Sequence, residues 1–163
     1  MNIYIPFVIN GQIHENVLNG IKEQSIFVNP VIISSYGTKN KREGELFNRN
    51  LILKICKEDE FCFMIDSDTV MIDPNNIRDM LNIMVKHPDI NLVSLRHNGV
   101  KNHKFHFDLA CCVFRPKKII TNELKQKKDH KCICFTFQDA LKDGECCYLD
   151  DKIRIKKEDN LRK

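Results

Sequence analysis

No apolar run in this 163-residue chain comes near the roughly 20 residues a helix needs to cross a bilayer. The opening residues, Met1-Asn2-Ile3-Tyr4-Ile5-Pro6, bring neither a basic leader nor a small-residue cleavage site, so no export signal is read and a cytoplasmic protein is expected. Aromatic side chains do not interleave with the basic ones, which removes the pattern of a nucleic-acid platform. No internal repeat and no low-complexity linker divides the chain. With apolar and charged fractions of 42% and 29%, it reads as one globular domain, residues 1–163, large enough for a three-layer core. The net charge of +4 is modest and gathers in Lys39-Asn40-Lys41-Arg42 and in the segment beyond Lys152 that holds Lys156, Lys157, Arg162 and Lys163. Each is a solvated face or, alternatively, a patch turned toward phosphate.

A disulfide framework is missing as well, although cysteine is not: there are eight. Without an export signal they are expected as reduced thiols, many buried as small hydrophobes. The doublets Cys111-Cys112 and Cys146-Cys147 do not fit a disulfide scaffold. A zinc site drawing on His130, Cys132, Cys134 and Cys146 is conceivable, but the paired C-x-x-C spacing of a structural zinc site is absent.

What is present alternates. Residues 2–9 are rich in β-branched and aromatic types and read as a buried first strand, which Pro6 ends or weakens. Ile13, Val17 and Ile21 give residues 12–24 one helical apolar stripe. Val31-Ile32-Ile33 is a second short strand, running into Ser34-Ser35-Tyr36-Gly37-Thr38. A second helix spans about 43–56, with Phe47, Leu51 and Ile55 as its expected core stripe and Arg49 off it. Residues 61–65 form the third strand. Asp73-Pro74 is a helix start, with Ile77, Leu81, Met84 and Val85 as the buried face and Pro88 as the stop. A fourth strand follows at 91–95. The second half is less regular: a strand at 105–114 able to pair antiparallel, a short helix at 115–121, and a charged loop at 122–131. Residues 132–142 are ambiguous, Gly144 is a plausible helix terminator, and Tyr148-Leu149 with Ile153-Arg154-Ile155 suggest a closing strand or hairpin. The pattern predicts an α/β fold: a mainly parallel central sheet with helices on both faces and a small antiparallel C-terminal part. In such sheets ligands collect beyond the carboxyl ends of the strands, so Pro6 to Asn10, Ser34 to Thr38 and Asp66 to Asp68 are expected on one rim.

The third strand, Phe61-Cys62-Phe63-Met64-Ile65, runs straight into Asp66-Ser67-Asp68. Positions two apart on a strand project the same way, so the two carboxylates would share a face. Two such charges repel unless a cation or a donor cluster lies between them, and a hard divalent ion carrying phosphate oxygens is the usual solution. Aspartate and serine also end strands in ordinary turns.

Taken in order, these landmarks resemble the GT-A glycosyltransferases of the family 2 kind over most of the chain. Ile5-Pro6 looks like the end of that family's first strand. Asn48-Arg49-Asn50 is similar to the motif opening the helix before its metal strand, Asp66-Ser67-Asp68 to its D-x-D, and Asp73-Pro74 to its downstream acidic-proline turn. Residues 108–115 look like the segment behind the acceptor site, and 144–155 like the final strand region. The resemblance implies a nucleotide-sugar and metal half at 1–100 and an acceptor-side half at 101–163. It implies a donor site of Pro6, Phe7, Val8, Ser34, Ser35, Arg49, Asp66, Ser67, Asp68 and Lys157. Asp68, with Asp66, would hold Mn2+ or Mg2+, and His97 would face the acceptor.

Departures from the pattern are equally specific. Ser34 and Ser35 stand where the family often has an aspartate that reads the nucleobase. The spacing from Gly144 back to the acidic base reaches Cys132 and Ile133, leaving Asp129 as candidate base and Asp139 as runner-up. Lys157 replaces the histidine that often completes the metal site. The implied reaction moves a sugar from a UDP- or GDP-linked donor to an acceptor hydroxyl on a glycan, lipid or protein, with inversion. Two rivals stand beside it. One is a nucleotidyltransferase, which lacks support because no glycine- and lysine-rich phosphate loop follows the first strand. The other is a catalytically silent nucleotide-sugar or carbohydrate binder on the same scaffold.

Overall fold

The computed structural model describes residues 1–7, 13–34, 41–97, 109–119, 137, 140–142 and 144–158. Among these residues seven strands and four helices follow in the order β1 (Asn2–Phe7), α1 (Glu15–Lys22), β2 (Asn29–Ser34), α2 (Lys41–Ile55), β3 (Cys62–Ile65), β4 (Thr69–Met71), α3 (Asn76–Lys86), β5 (Leu92–His97), β6 (Cys111–Phe114), α4 (Pro116–Ile119) and β7 (Cys146–Lys157). The strands make one sheet in the order β2-β1-β3-β6-β5-β7-β4.

That sheet is mixed, not mainly parallel as the alternation suggested. β1 pairs parallel with β2 and β3, and β5 with β7, but β6 is antiparallel to both β3 and β5, and β4 to β7. The reason lies in Cys111-Cys112-Val113-Phe114, a four-residue strand buried on both faces that inserts in mid-sheet. Because β6 opposes both neighbours, β3 and β5 still run the same way. β1, β2, β3, β5 and β7 therefore all end at one edge. Near the C-terminal end β7 is one long strand between β5 and β4, bulged in its parallel pairing with β5 and antiparallel to β4.

Side-chain alternation sorts the core into two layers. Ile3, Ile5, Phe63, Ile65, Val93 and Val113 point to the face covered by Val17 and Ile21 of α1 and Ile77, Met80 and Met84 of α3. Tyr4, Cys62, Met64, Leu92, Cys112 and Phe114 point to the other, under Ile52, Leu53 and Cys56 of α2, with Ile119 and Phe137. Helices on both faces were expected, and both are there. Gly20 lets α1 lie directly on β4: a Cβ there would come within 2.8 Å of the Met71 carbonyl oxygen.

Two helix faces differ from the expected ones. In α2, Phe47 and Ile55 are 54% and 51% exposed, while Asn48, Arg49, Ile52, Leu53 and Cys56 are buried. In α3, Met80 is buried and Val85 exposed. The start of α3 also shifts, to Asn76 with Asn75 as a cap that makes no side-chain bond. Its first-turn N–H groups are served from elsewhere: Ile77 N donates to Oε1 of buried Gln24. Asp73 Oδ1 instead accepts from Asn75 N at 2.8 Å, and Oδ2 from Arg154 at 3.2 Å. Arg154 also donates to Asp79 (2.9 Å) and twice to Asp150 (2.7 and 3.0 Å), clamping β7 to the α3 start.

Candidate functional site

The site lies at the sheet edge where the five co-directional strands end. β3 stops at Ile65, and Asp66 to Thr69 form a tight turn into β4, closed by Thr69 N donating to Asp66 O at 3.0 Å. The carboxylates therefore converge through a turn and not through strand alternation. Asp66 N donates to Ala110 O at 2.8 Å, tying the turn to the segment leading into β6.

Between the two carboxylates lies an ammonium. Lys157 Nζ donates to Asp66 Oδ2 at 2.8 Å and to Asp68 Oδ1 at 2.7 Å, distances of charge-assisted bonds. Its position is set by backbone pairing: Lys157 is opposite Thr69 in the β4–β7 ladder, and Glu158 N donates to Asp68 O at 2.7 Å. The other Asp66 oxygen faces Arg49, whose Nη2 is 3.8 Å from Oδ1. Arg49 is buried on α2, its Nη1 reaching Glu45 O at 3.5 Å and its Nε finding no acceptor among the described residues. Thr69 Oγ1 adds a 3.4 Å contact to Asp68 Oδ1.

Burial works to lower the Lys157 pKa, but the charges and hydrogen bonds of Asp66 and Asp68 outweigh it and hold the ammonium above its ordinary value. Under the turn, burial pushes the Cys111 thiol well up, Asp66 adds to the rise and Lys157 opposes it. That thiol is a packing group and not a nucleophile.

The donor set does not fit a divalent ion as it stands. One oxygen of each carboxylate is engaged by the ammonium, and no third histidine, cysteine or acid joins the pair among the described residues. A small hard cation wants about six oxygens.

Other expected site residues are placed by the same edge. Pro6 is buried near the end of β1, Phe7 is in register with Ser34 at the ends of β1 and β2, and Ser67 is half-buried in the turn. His97 ends β5, half-buried and in register with Ile155. Val8, Ser35, Asp129 and Asp139 lie outside the described residues, as do His130, Cys132 and Cys134 of the zinc reading. Thr69 was not singled out in the sequence, and Ala110 and Arg154 were read only as parts of the 108–115 and 144–155 segments. A threonine after the acidic turn was the one available signal.

No family profile matches the sequence, and no curated protein matches it. Solved structures do. S. aureus TarS 1-349 superposes with a TM-score of 0.68 at 14% identity, over 97% of this chain and 60% of that one. The same protein in complex with UDP-GlcNAc gives 0.66 at 12%, over 98% and 59%. The mannosyltransferase PcManGT from Pyrobaculum calidifontis, in complex with GDP-Man and Mn2+, gives 0.58 at 10%, over 90% and 55%. The fold is that of the GT-A glycosyltransferases. On this GT-A frame the chain spans about 60% of the TarS 1-349 chain it matches. No helix among the described residues is long and apolar enough to cross a membrane.

Proposed function

We propose that this chain binds a nucleoside diphosphate sugar at the Asp66–Asp68 edge and transfers its sugar to an acceptor hydroxyl. The observation carrying the proposal is the placement of Asp66, Asp68, Lys157 and Arg49 together at the shared strand-end edge of a GT-A fold. Departure of the diphosphate develops negative charge, and fixed cations in a partly buried site stabilise it without reorganising. UDP- and GDP-linked donors are favoured, in keeping with the UDP-GlcNAc and GDP-Man held by the similar structures. Asp66 in this reading engages the ribose hydroxyls, His97 faces the acceptor, and Asp129, with Asp139 as the alternative, removes the acceptor proton for an inverting displacement. In the D-x-D reading of the sequence Mn2+ or Mg2+ would sit on Asp68 and Asp66; with Lys157 on both, Lys157 supplies positive charge there.

Incubation with UDP-, GDP- and dTDP-sugars and a panel of acceptor hydroxyls, with nucleoside diphosphate release as readout, tests the proposal. Release of nucleoside diphosphate supports it. Release of pyrophosphate would assign the chain to nucleotidyl transfer, and binding without turnover would make it a silent binder.

A further inference from the structure

We propose that Lys157 is the resident cation of this site, so that a nucleoside diphosphate binds without a divalent ion. The inference rests on the donor reading above but is carried by separate geometry. A surface lysine pairs loosely; this one is fixed. Its Cα is held in the β4–β7 ladder opposite Thr69, its neighbour Glu158 is bonded to the Asp68 carbonyl, and its side chain is only 12% exposed. Ordering so long a side chain costs about 1.5–2 kcal/mol in rotamer freedom, and two charge-assisted bonds offset that.

The charge count agrees. Among the described residues Asp66 is paired with both Lys157 and Arg49, and Asp68 with Lys157, so each carboxylate already has a fixed cation beside it. An ammonium has three donors. Two are spent on Asp66 and Asp68, and the third has no partner among the described residues. That third donor is the one a diphosphate oxygen would accept from. The Arg49 Nε, buried and without an acceptor among the described residues, is a second N–H donor on the same ion-pair network.

Two measurements decide the matter, and the first needs no nucleotide. Mn2+ is titrated into the protein and free ion is followed by its paramagnetic resonance signal. Wild type should leave the ion free, and Lys157→Met, which removes the ammonium shared by the two carboxylates, should capture it. Capture by wild type that is lost in Asp68→Asn would overturn the proposal. In the second, UDP and GDP binding is measured calorimetrically in EDTA and in Mn2+. Wild-type affinity should agree within about twofold between the two, while Lys157→Met in EDTA should lose about tenfold, as for a lost hydrogen bond to a charged group. A tenfold loss of wild-type affinity in EDTA would overturn the proposal. So would unchanged binding by Lys157→Met, which would make Lys157 a structural ion-pair partner only. If wild type binds neither nucleotide in either buffer, the transferase reading fails, and the Mn2+ titration still judges the cation assignment.

Discussion

Arg49 shows how much one side chain at this edge commits. It is a buried guanidinium on a helix face that meets the sheet, and its only described carboxylate is Asp66. Removing one partner of a fully buried pair costs about 3–5 kcal/mol, but water reaches Asp66 and takes over part of the loss. Arg49→Met is expected to lower unfolding free energy by about 1–3 kcal/mol, read from the midpoint of a urea titration at constant slope. An unchanged midpoint would mean that the guanidinium adds nothing net to the folded state. The same residue marks the limit of sequence reading. A search for apolar stripes places arginine and asparagine outside, so Phe47, Leu51 and Ile55 were expected inward. In the structure the helix is turned by about one residue, roughly 100°, so that Asn48 and Arg49 face in and Phe47 faces out. Periodicity finds the helix; it cannot find a polar face that is buried because it serves a site.

At the scale of elements, the strand-helix order was legible because each element carries its own period. The strand read as able to pair antiparallel does so, but its place between β3 and β5 was not legible, since Cys111-Cys112-Val113-Phe114 is apolar on both faces and names no neighbour. Asp66-Ser67-Asp68 and Lys157 were both singled out, but the ion pairs that join them were not: Lys157 is 91 positions away from Asp66, and nothing local to either encodes the pairing. The Arg154 clamp is of the same kind, joining β7 to Asp73 and Asp79 of the α3 start. Within it, burial would raise the Asp150 carboxyl, but hydrogen bonds from Arg154 and the Lys152 N–H, with their charges, hold it below its ordinary 3.8. A depressed carboxylate contributes stability that is present above 3.8 and disappears as pH falls through the lower folded value. Asp150→Asn should therefore melt at a lower temperature than wild type at neutral pH, and the two melting curves should converge as pH drops below 3.8. A difference that stays constant into that range would show that the carboxylate's charge is not what Arg154 holds.

For the whole molecule, the two core layers meet in a sheet whose centre is lined by thiols. Cys56, Cys62, Cys111 and Cys112 are buried, whereas Cys146 and Cys147 are half-buried. Burial, then the Cys56 neighbour, pushes the Cys62 thiol far up, and burial does the same for Cys111. Under native conditions a thiol reagent should label Cys146 and Cys147 and leave those four unlabelled, as mapped by peptide mass; in denaturant all should react. Labelling of Cys62 or Cys111 in the native protein would contradict the packing of the central strands.

The place of β7 in the sheet has a consequence in time. Among the described strands β4 has one neighbour, β7; Asp66 and Asp68 have their shared counter-charge on that same strand. At the usual pace of synthesis, about 5–20 residues per second, the two aspartates emerge some 5–20 seconds before Lys157 does. Through that interval β4 lacks the strand it is paired with in the fold, and the carboxylates lack the ammonium between them. The arrival of β7 therefore joins β4 to the sheet and brings the ammonium to the two carboxylates, both in one event.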